Sequence, residues 1–166
     1  MGGREFSLLV DGKPPIADEA TIHRVLEEQL FLLPSVVEGS GPFPDRHAAW
    51  SKPADSFDAS TRFVVVSFYL ALMTAECLAL AGAEGDIVVE GPFAGNELFL
   101  AMLGAATRRP VVPMRASATG TSIGAAMLAV AQPMPRLNRG EPIVLLPARA
   151  TAMAAYAEHW RSVLGD

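Results

Sequence analysis

The stretch from Ile87 to Ala131 limits the fold more than any other part of the chain. A short apolar run, Ile87-Val88-Val89, ends in a glycine-bracketed turn, Gly91-Pro92-Phe93-Ala94-Gly95. Helical spacing begins at Asn96, a second apolar run stands at Val111-Val112, and another helical pattern starts near Ser122. Short apolar runs closed off by turn residues read as buried strands, and the segments between them carry the helical period. A strand–helix–strand–helix order predicts parallel pairing through a right-handed crossover, hence an α/β fold.

The chemistry of such a unit sits at its strand-to-helix turn. Asn96 is a good N-cap, and Glu97 in the first turn suits the helix dipole. Backbone N–H groups there, beside glycines that admit close approach, suit a nucleotide. On these residues alone a purely structural turn is the favoured reading, since most strand–turn–helix units bind nothing.

The same residues carry a family resemblance. Its parts run in order: Glu90-Gly91-Pro92-Phe93-Ala94-Gly95-Asn96, a helix ending in Leu103-Gly104, and a strand at Arg109-Pro110-Val111. The segment Ala118-Thr119-Gly120-Thr121-Ser122-Ile123-Gly124-Ala125-Ala126-Met127-Leu128-Ala129 follows. This order resembles the C-terminal domain of FGGY-type carbohydrate kinases, ATP-dependent sugar kinases of the actin-like ATPase superfamily. Gly91, Asn96, Thr119, Gly124, Ala125 and Ala126 stand at positions matching the family motifs. The turn departs from them at Glu90, Pro92 and Phe93, where glycine or alanine is usual, and Pro92 has no N–H to donate.

The resemblance implies a ribonuclease-H-like, actin-like C-terminal domain over residues 1–166, with a short mixed sheet flanked by helices. It also implies ATP or ADP as ligand, with Mg²⁺ in the complete enzyme. Gly91 would permit close approach, Pro92 would sit in the turn, Phe93 would pack on adenine, and Asn96 would bond near the ribose or base. Thr119 and Gly124 would support the same wall. The substrate would be a ketose or polyol bound through an N-terminal domain. In the family the catalytic Asp and the phosphate-clamping turns precede this segment, so no catalytic residue is expected here and the domain alone should not turn over. Gly2-Gly3-Arg4-Glu5-Phe6 resembles a stretch well inside a full-length member, so the chain reads as a fragment. The rival reading is a non-catalytic actin-like half-domain that binds a partner or oligomerises, which Glu90 and Pro92 favour.

Composition narrows the surroundings. Of 166 residues, 51% are hydrophobic and only 19% charged, apolar enough to suggest faces covered by another domain or by a homo-oligomer. A net charge of −5 argues against a nucleic-acid surface. The single Cys77 fits a reducing, cytoplasmic setting, and no apolar signal-peptide core follows Met1.

Along the chain, Phe6–Val10 reads as a helix end or an edge strand. Asp18 opens a helix with Ile22, Val25, Leu26, Leu30 and Leu33 on one face, stopped by Pro34. Glu27 and Glu28 read as solvated. Residues 34–58, rich in Pro and Gly, predict a long ordered loop in which Asp45, Arg46 and His47 are ligand candidates or plain surface. The run from Phe63 to Ala81 approaches membrane-spanning length, but Glu76 within it favours a buried central helix over a span. Gly82 suits its C-cap. Ile143–Pro147 reads as a strand or an arm on the core, and Thr151 as the cap of a last helix with Met153, Tyr156, Trp160 and Leu164 inward.

Other chemistries lack their residues. There is no P-loop and no Gly-x-Gly-x-x-Gly fingerprint. His23, His47 and His159 lie far apart, Ser67 and Ser122 have no partner in sequence, and Cys77 reads as a packed small side chain.

Overall fold

The longest apolar segment becomes the axis of the core. In the computed structural model, which describes residues 2–114, 125, 127–129 and 140–165, helix α3 spans Ala59–Leu80. The Asp58 side chain caps its start by accepting the Thr61 N–H at 2.7 Å. Its end is a Schellman closure: Ala83 N–H donates to Leu78 O and Gly82 N–H to Ala79 O, with Gly82 at φ +61. The helix is long and apolar enough to cross a membrane. Here Val64 through Met73 are all buried inside the domain, against α1, α2 and α4.

Around that axis the chain runs α1 (Gly2–Leu9), α2 (Glu19–Glu27), β1 (Leu32–Leu33) and β2 (Ala49–Trp50), with a 3₁₀ turn at Ala54–Ser56 before α3. Strand β3 (Ile87–Val89), a 3₁₀ turn (Pro92–Gly95), α4 (Glu97–Thr107), β4 (Val111–Pro113) and α5 (Pro147–Gly165) follow. The predicted crossover is present. β3 pairs parallel with β4 in the register Ile87↔Val111, Val88↔Val112, Val89↔Pro113, and α4 joins them. Gly104 faces β4, where an added Cβ would make ordinary contact with Val111 Cγ2 at 3.5 Å.

Of the two readings of Phe6–Val10, the helix end holds: it is the last part of α1 and the residue after it. Elsewhere the structure differs from expectation in three places. The helix expected from Asp18 to Leu33 stops at Glu27: Gln29 takes φ +50, and Leu32-Leu33 pair antiparallel with Ala49-Trp50. Helical spacing continues past Glu27, but the backbone of Leu30 and Leu32 is claimed from outside. Tyr156 Oη donates to Leu30 O at 2.6 Å and Trp160 Nε1 to Leu32 O at 2.8 Å, both donors fully buried on α5. α5 also begins earlier than Thr151, at Pro147, a residue suited to a first turn. The Thr151 hydroxyl donates back to Pro147 O within the helix instead of capping it. Cys77 is exposed on α3 rather than packed.

Met153, Tyr156, Trp160 and Leu164 do face inward as the spacing predicts. Ile143 and Gly140 form an arm along the outer edge of β4, their N–H groups donating to Val111 O and Pro113 O at 2.9 Å each.

Candidate functional site

The turn after β3 owes its shape to Gly91. Its φ of +76° and ψ of −158° lie where side-chain-bearing residues are strained, and a Cβ added there would meet open space. Pro92 then occupies the first position of the 3₁₀ turn, where no N–H is needed. Glu90, Gly91 and Pro92 are exposed, so the turn presents backbone and one carboxylate to solvent.

Phe93 turns the other way. Its ring is half-buried, 5.9 Å from Phe6 and 5.0 Å from Phe99 between centroids, and the Phe6 ring in turn meets Phe63 at 6.3 Å. This aromatic cluster joins α1, α3 and α4 beneath the turn.

Asn96 is the polar centre of the site, and its amide serves the protein first. Oδ1 accepts the Phe99 N–H at 3.1 Å, the predicted N-cap bond. Nδ2 donates to Ser67 Oγ at 3.0 Å, and Ser67 is fully buried in the middle of α3. An amide nitrogen carries two hydrogens, so one Nδ2 donor remains for another acceptor. Sequence reasoning set Ser67 aside because no catalytic partner stands near it in the chain. The available signal was different: a lone hydroxyl inside the apolar run Val66-Ser67-Phe68 must find a partner somewhere.

Two cavities open on either side of Asn96. One, of about 640 Å³, is walled by Phe6, Phe63, Pro92, Phe93, Gly95 and Asn96. The other, of about 760 Å³, runs past Glu97 and Phe63 to Ile143, Val144 and Arg149. Of the predicted set, Gly91, Pro92, Phe93 and Asn96 are thus brought together in one turn. Thr119 and Gly124 lie outside the described residues.

Other cavities have their cations committed. Between α4 and α5 a space of about 580 Å³ carries Arg108 and Arg109. Arg108 pairs with Glu158 at 2.8 Å, and Arg109 donates to Gly85 O and Ala83 O. Beside α2, Arg149 is paired with Glu19 at 2.8 Å. Among the described residues no three His, Cys, Asp or Glu side chains come together as metal ligands would. Asp45 is exposed, Arg46 donates to Leu164 O, and exposed His47 sits 3.3 Å from Glu38. Arg46 thereby does structural work, tying the 34–58 segment to the end of α5.

Titration shifts fall mainly on structural groups. Burial, then the Glu5 carboxylate 3.0 Å away, holds the Tyr69 phenol well above its ordinary value. Burial alone does the same to Tyr156. For Cys77, partial burial and then Glu5 and Glu76 push the thiol up, away from nucleophile behaviour.

Comparison with known proteins bears on the family and the fold. A search of curated proteins finds no match. Among solved structures, a carbohydrate kinase from Novosphingobium aromaticivorans matches at a TM-score of 0.79 and 27% identity, covering 99% of this chain and 36% of that one. The chain therefore spans about a third of the length of the kinase it matches. Its α/β architecture agrees with the actin-like ATPase fold. The family model for the C-terminal domain of FGGY carbohydrate kinases matches residues 1–138, and the chain belongs to that family.

Proposed function

We propose that this domain forms the nucleotide side of an ATP-dependent sugar kinase acting on a terminal hydroxyl of a ketose or polyol. The observation that carries the reading is the turn at Gly91–Asn96: a glycine held at φ +76°, a second Asn96 amide hydrogen with no partner among the described residues, and a cavity of about 640 Å³ walled by Pro92, Phe93, Gly95 and Asn96. An adenosine fits those features better than a phosphate chain does. The cavity wall is mostly aromatic and aliphatic, whereas the exposed carboxylates of Glu90 and Glu97 would repel phosphates. In this reading Gly91 and Pro92 admit the nucleoside, the edge of Phe93 lines its base, and the second Nδ2 hydrogen of Asn96 reaches the ribose or base. The resemblance would add Thr119 and Gly124, which lie outside the described residues.

ATP supplies the transferred phosphoryl group, and Mg²⁺ would neutralise its charge. Positioning and charge stabilisation dominate such a transfer. In this reading the metal ligands, the base for the sugar hydroxyl and sugar recognition belong to the rest of a full-length kinase. The domain by itself then binds nucleotide weakly and releases no ADP on addition of sugar. We place it in the cytoplasm, with no membrane or nucleic-acid partner.

Calorimetric titration with ATP and ADP, with and without Mg²⁺, tests the assignment. Asn96→Asp keeps the N-cap while replacing the donor with a carboxylate, and should weaken ATP binding at least about tenfold, the equivalent of ~1.4 kcal/mol. Equal affinity in the variant would move the nucleotide off this turn. Sugar-dependent ADP release from the pure domain would refute the assignment of the catalytic parts to the remainder.

The exposed Glu90 and the missing Pro92 donor favour a second reading, a non-catalytic binding module. Absence of ATP binding at millimolar concentration would select it.

A further inference from the structure

A hydroxyl inside an apolar helix has to be held by something. Val64 through Met73 are all buried along α3, and Ser67 is fully buried among them. A helical hydroxyl in such surroundings can bond the carbonyl one turn back. Thr74 does so to Leu70 O at 2.7 Å, and Thr107 to Leu103 O at 2.7 Å. The Ser67 hydroxyl instead accepts a bond from the cap of another helix, Asn96 Nδ2 at 3.0 Å. Residues four apart share a helix face, so Ser67 lies on the face of Phe63, which walls both cavities beside Asn96.

That bond is the second anchor of the Asn96 amide. The terminal torsion of an asparagine is broad, so a single hydrogen bond leaves the amide plane free to swing. Here the Phe99 N–H holds Oδ1 at 3.1 Å while Ser67 holds Nδ2, and two anchors fix the plane. The flipped arrangement is disfavoured as well, since it would set Nδ2 against the Phe99 N–H, donor to donor. The remaining Nδ2 hydrogen is thereby given one direction.

We propose that Ser67 is a positioning residue for nucleoside recognition: by holding Asn96 Nδ2 from inside the core, it aims the second amide hydrogen at one acceptor of the adenosine, a ring nitrogen or a ribose oxygen. The proposal rests on the nucleotide reading of the Gly91–Asn96 turn. Ser67 is fully buried and acts only through Asn96. Its effect falls on selectivity more than on bulk affinity. A donor held in one direction rejects an analogue that lacks the matching acceptor, because the donor is then left unpaired. A donor free to swing finds another partner and discriminates less.

The probes are ATP and analogues that each lack one acceptor: the mono-deaza forms, with a ring nitrogen replaced by C–H, and the ribose-deoxy forms. Their affinities for this chain and for Ser67→Ala are read by calorimetry, at a temperature where unfolding curves show both folded. The parent should bind one analogue at least about fivefold more weakly than ATP, and Ser67→Ala should bring that ratio to within about twofold. Ser67→Cys, close in shape but a weak acceptor, should fall between them and serves if the alanine variant does not fold. An unchanged ratio in the variants overturns the proposal. So does a loss of affinity shared equally by ATP and every analogue, the result that a merely structural serine would give. A parent that binds no ATP removes the nucleotide reading and the proposal with it. A parent that binds ATP while the ratio stays put removes the proposal alone, so the two failures are distinguishable.

Discussion

Replacing Asn96 by Ala removes two bonds from one residue, and their costs are separable. Losing the N-cap on the Phe99 N–H costs about 1 kcal/mol. Losing Nδ2 strands the buried Ser67 hydroxyl, a penalty of about 1–3 kcal/mol. The hydroxyl can recover part of this by turning back onto the carbonyl one helical turn earlier, which favours the lower end. The sum is about 2–4 kcal/mol, a large share of the roughly 5–15 kcal/mol that holds a domain together. For a chain of this size each kcal/mol moves the melting point by about 2–4 °C, so Asn96→Ala should melt about 5–15 °C low. Thermal and urea unfolding of Asn96→Ala, Ser67→Ala and the double variant form a cycle that isolates the pair. The coupling should be about 0.5–1.5 kcal/mol, with unchanged urea m-values. Asn96→Asp keeps the cap and should lose less than Asn96→Ala. An Asn96→Ala variant melting within about 1 °C of the parent, or strictly additive singles, would refute the reasoning.

Three other outcomes follow from the same geometry. Arg108 ends α4 at φ +54 and, among the described residues, its side chain makes only an exposed ion pair to Glu158, so Arg108→Gly should raise stability by about 0.5–1 kcal/mol, and an unmoved or lowered urea midpoint would contradict this. Trp160→Phe leaves Leu32 O without its buried donor and opens space around it, which should cost about 2–4 kcal/mol in urea unfolding; a loss under about 1 kcal/mol would mean that the carbonyl finds another partner. The Asp58 carboxyl is held below its ordinary 3.8, first by the Thr61 N–H, so its stabilisation is present above that value and is lost as pH falls through the lower folded value. Asp58→Asn, also a good cap, should flatten the melting-point fall between about pH 5 and 2 while barely changing it at pH 7, and an unaltered acid limb would refute the role.

The sequence was most readable where local and tertiary demands coincide. The β3–α4–β4 crossover could be read because Ile87–Val89 and Val111–Val112 are short apolar runs and Gly91 marks a turn that needs a positive φ. Asn96 as a cap was readable for the same reason, since capping needs only the next three residues. The end of α2 was not. Leu30 and Leu33 continue its helical period, and what overrides that period is a pair of donors 126 and 128 positions away. Periodicity is blind to such partners. Phe93 shows the limit at the site: a phenylalanine in a glycine turn suits stacking on a base, but its direction depends on how Phe6 and Phe99 are placed by two other helices. Cys77 sits among apolar residues, but the last turns of α3 project beyond the core, leaving Cys77, Ala79 and Leu80 exposed.

The two bonds from α5 to the Leu30 and Leu32 carbonyls also fix an order of events during synthesis. A chain is made from its N-terminus, so α2, β1 and α3 emerge before α5 does, with those carbonyls and the apolar pocket for Trp160 unfilled until it follows. Local helices can form in that interval, but the core cannot close until residues near 160 have left the ribosome. Apolar surface that α5 covers in the finished domain stays exposed until then. A stop codon placed just before α5 would yield a chain that collapses and aggregates rather than a smaller, stable domain.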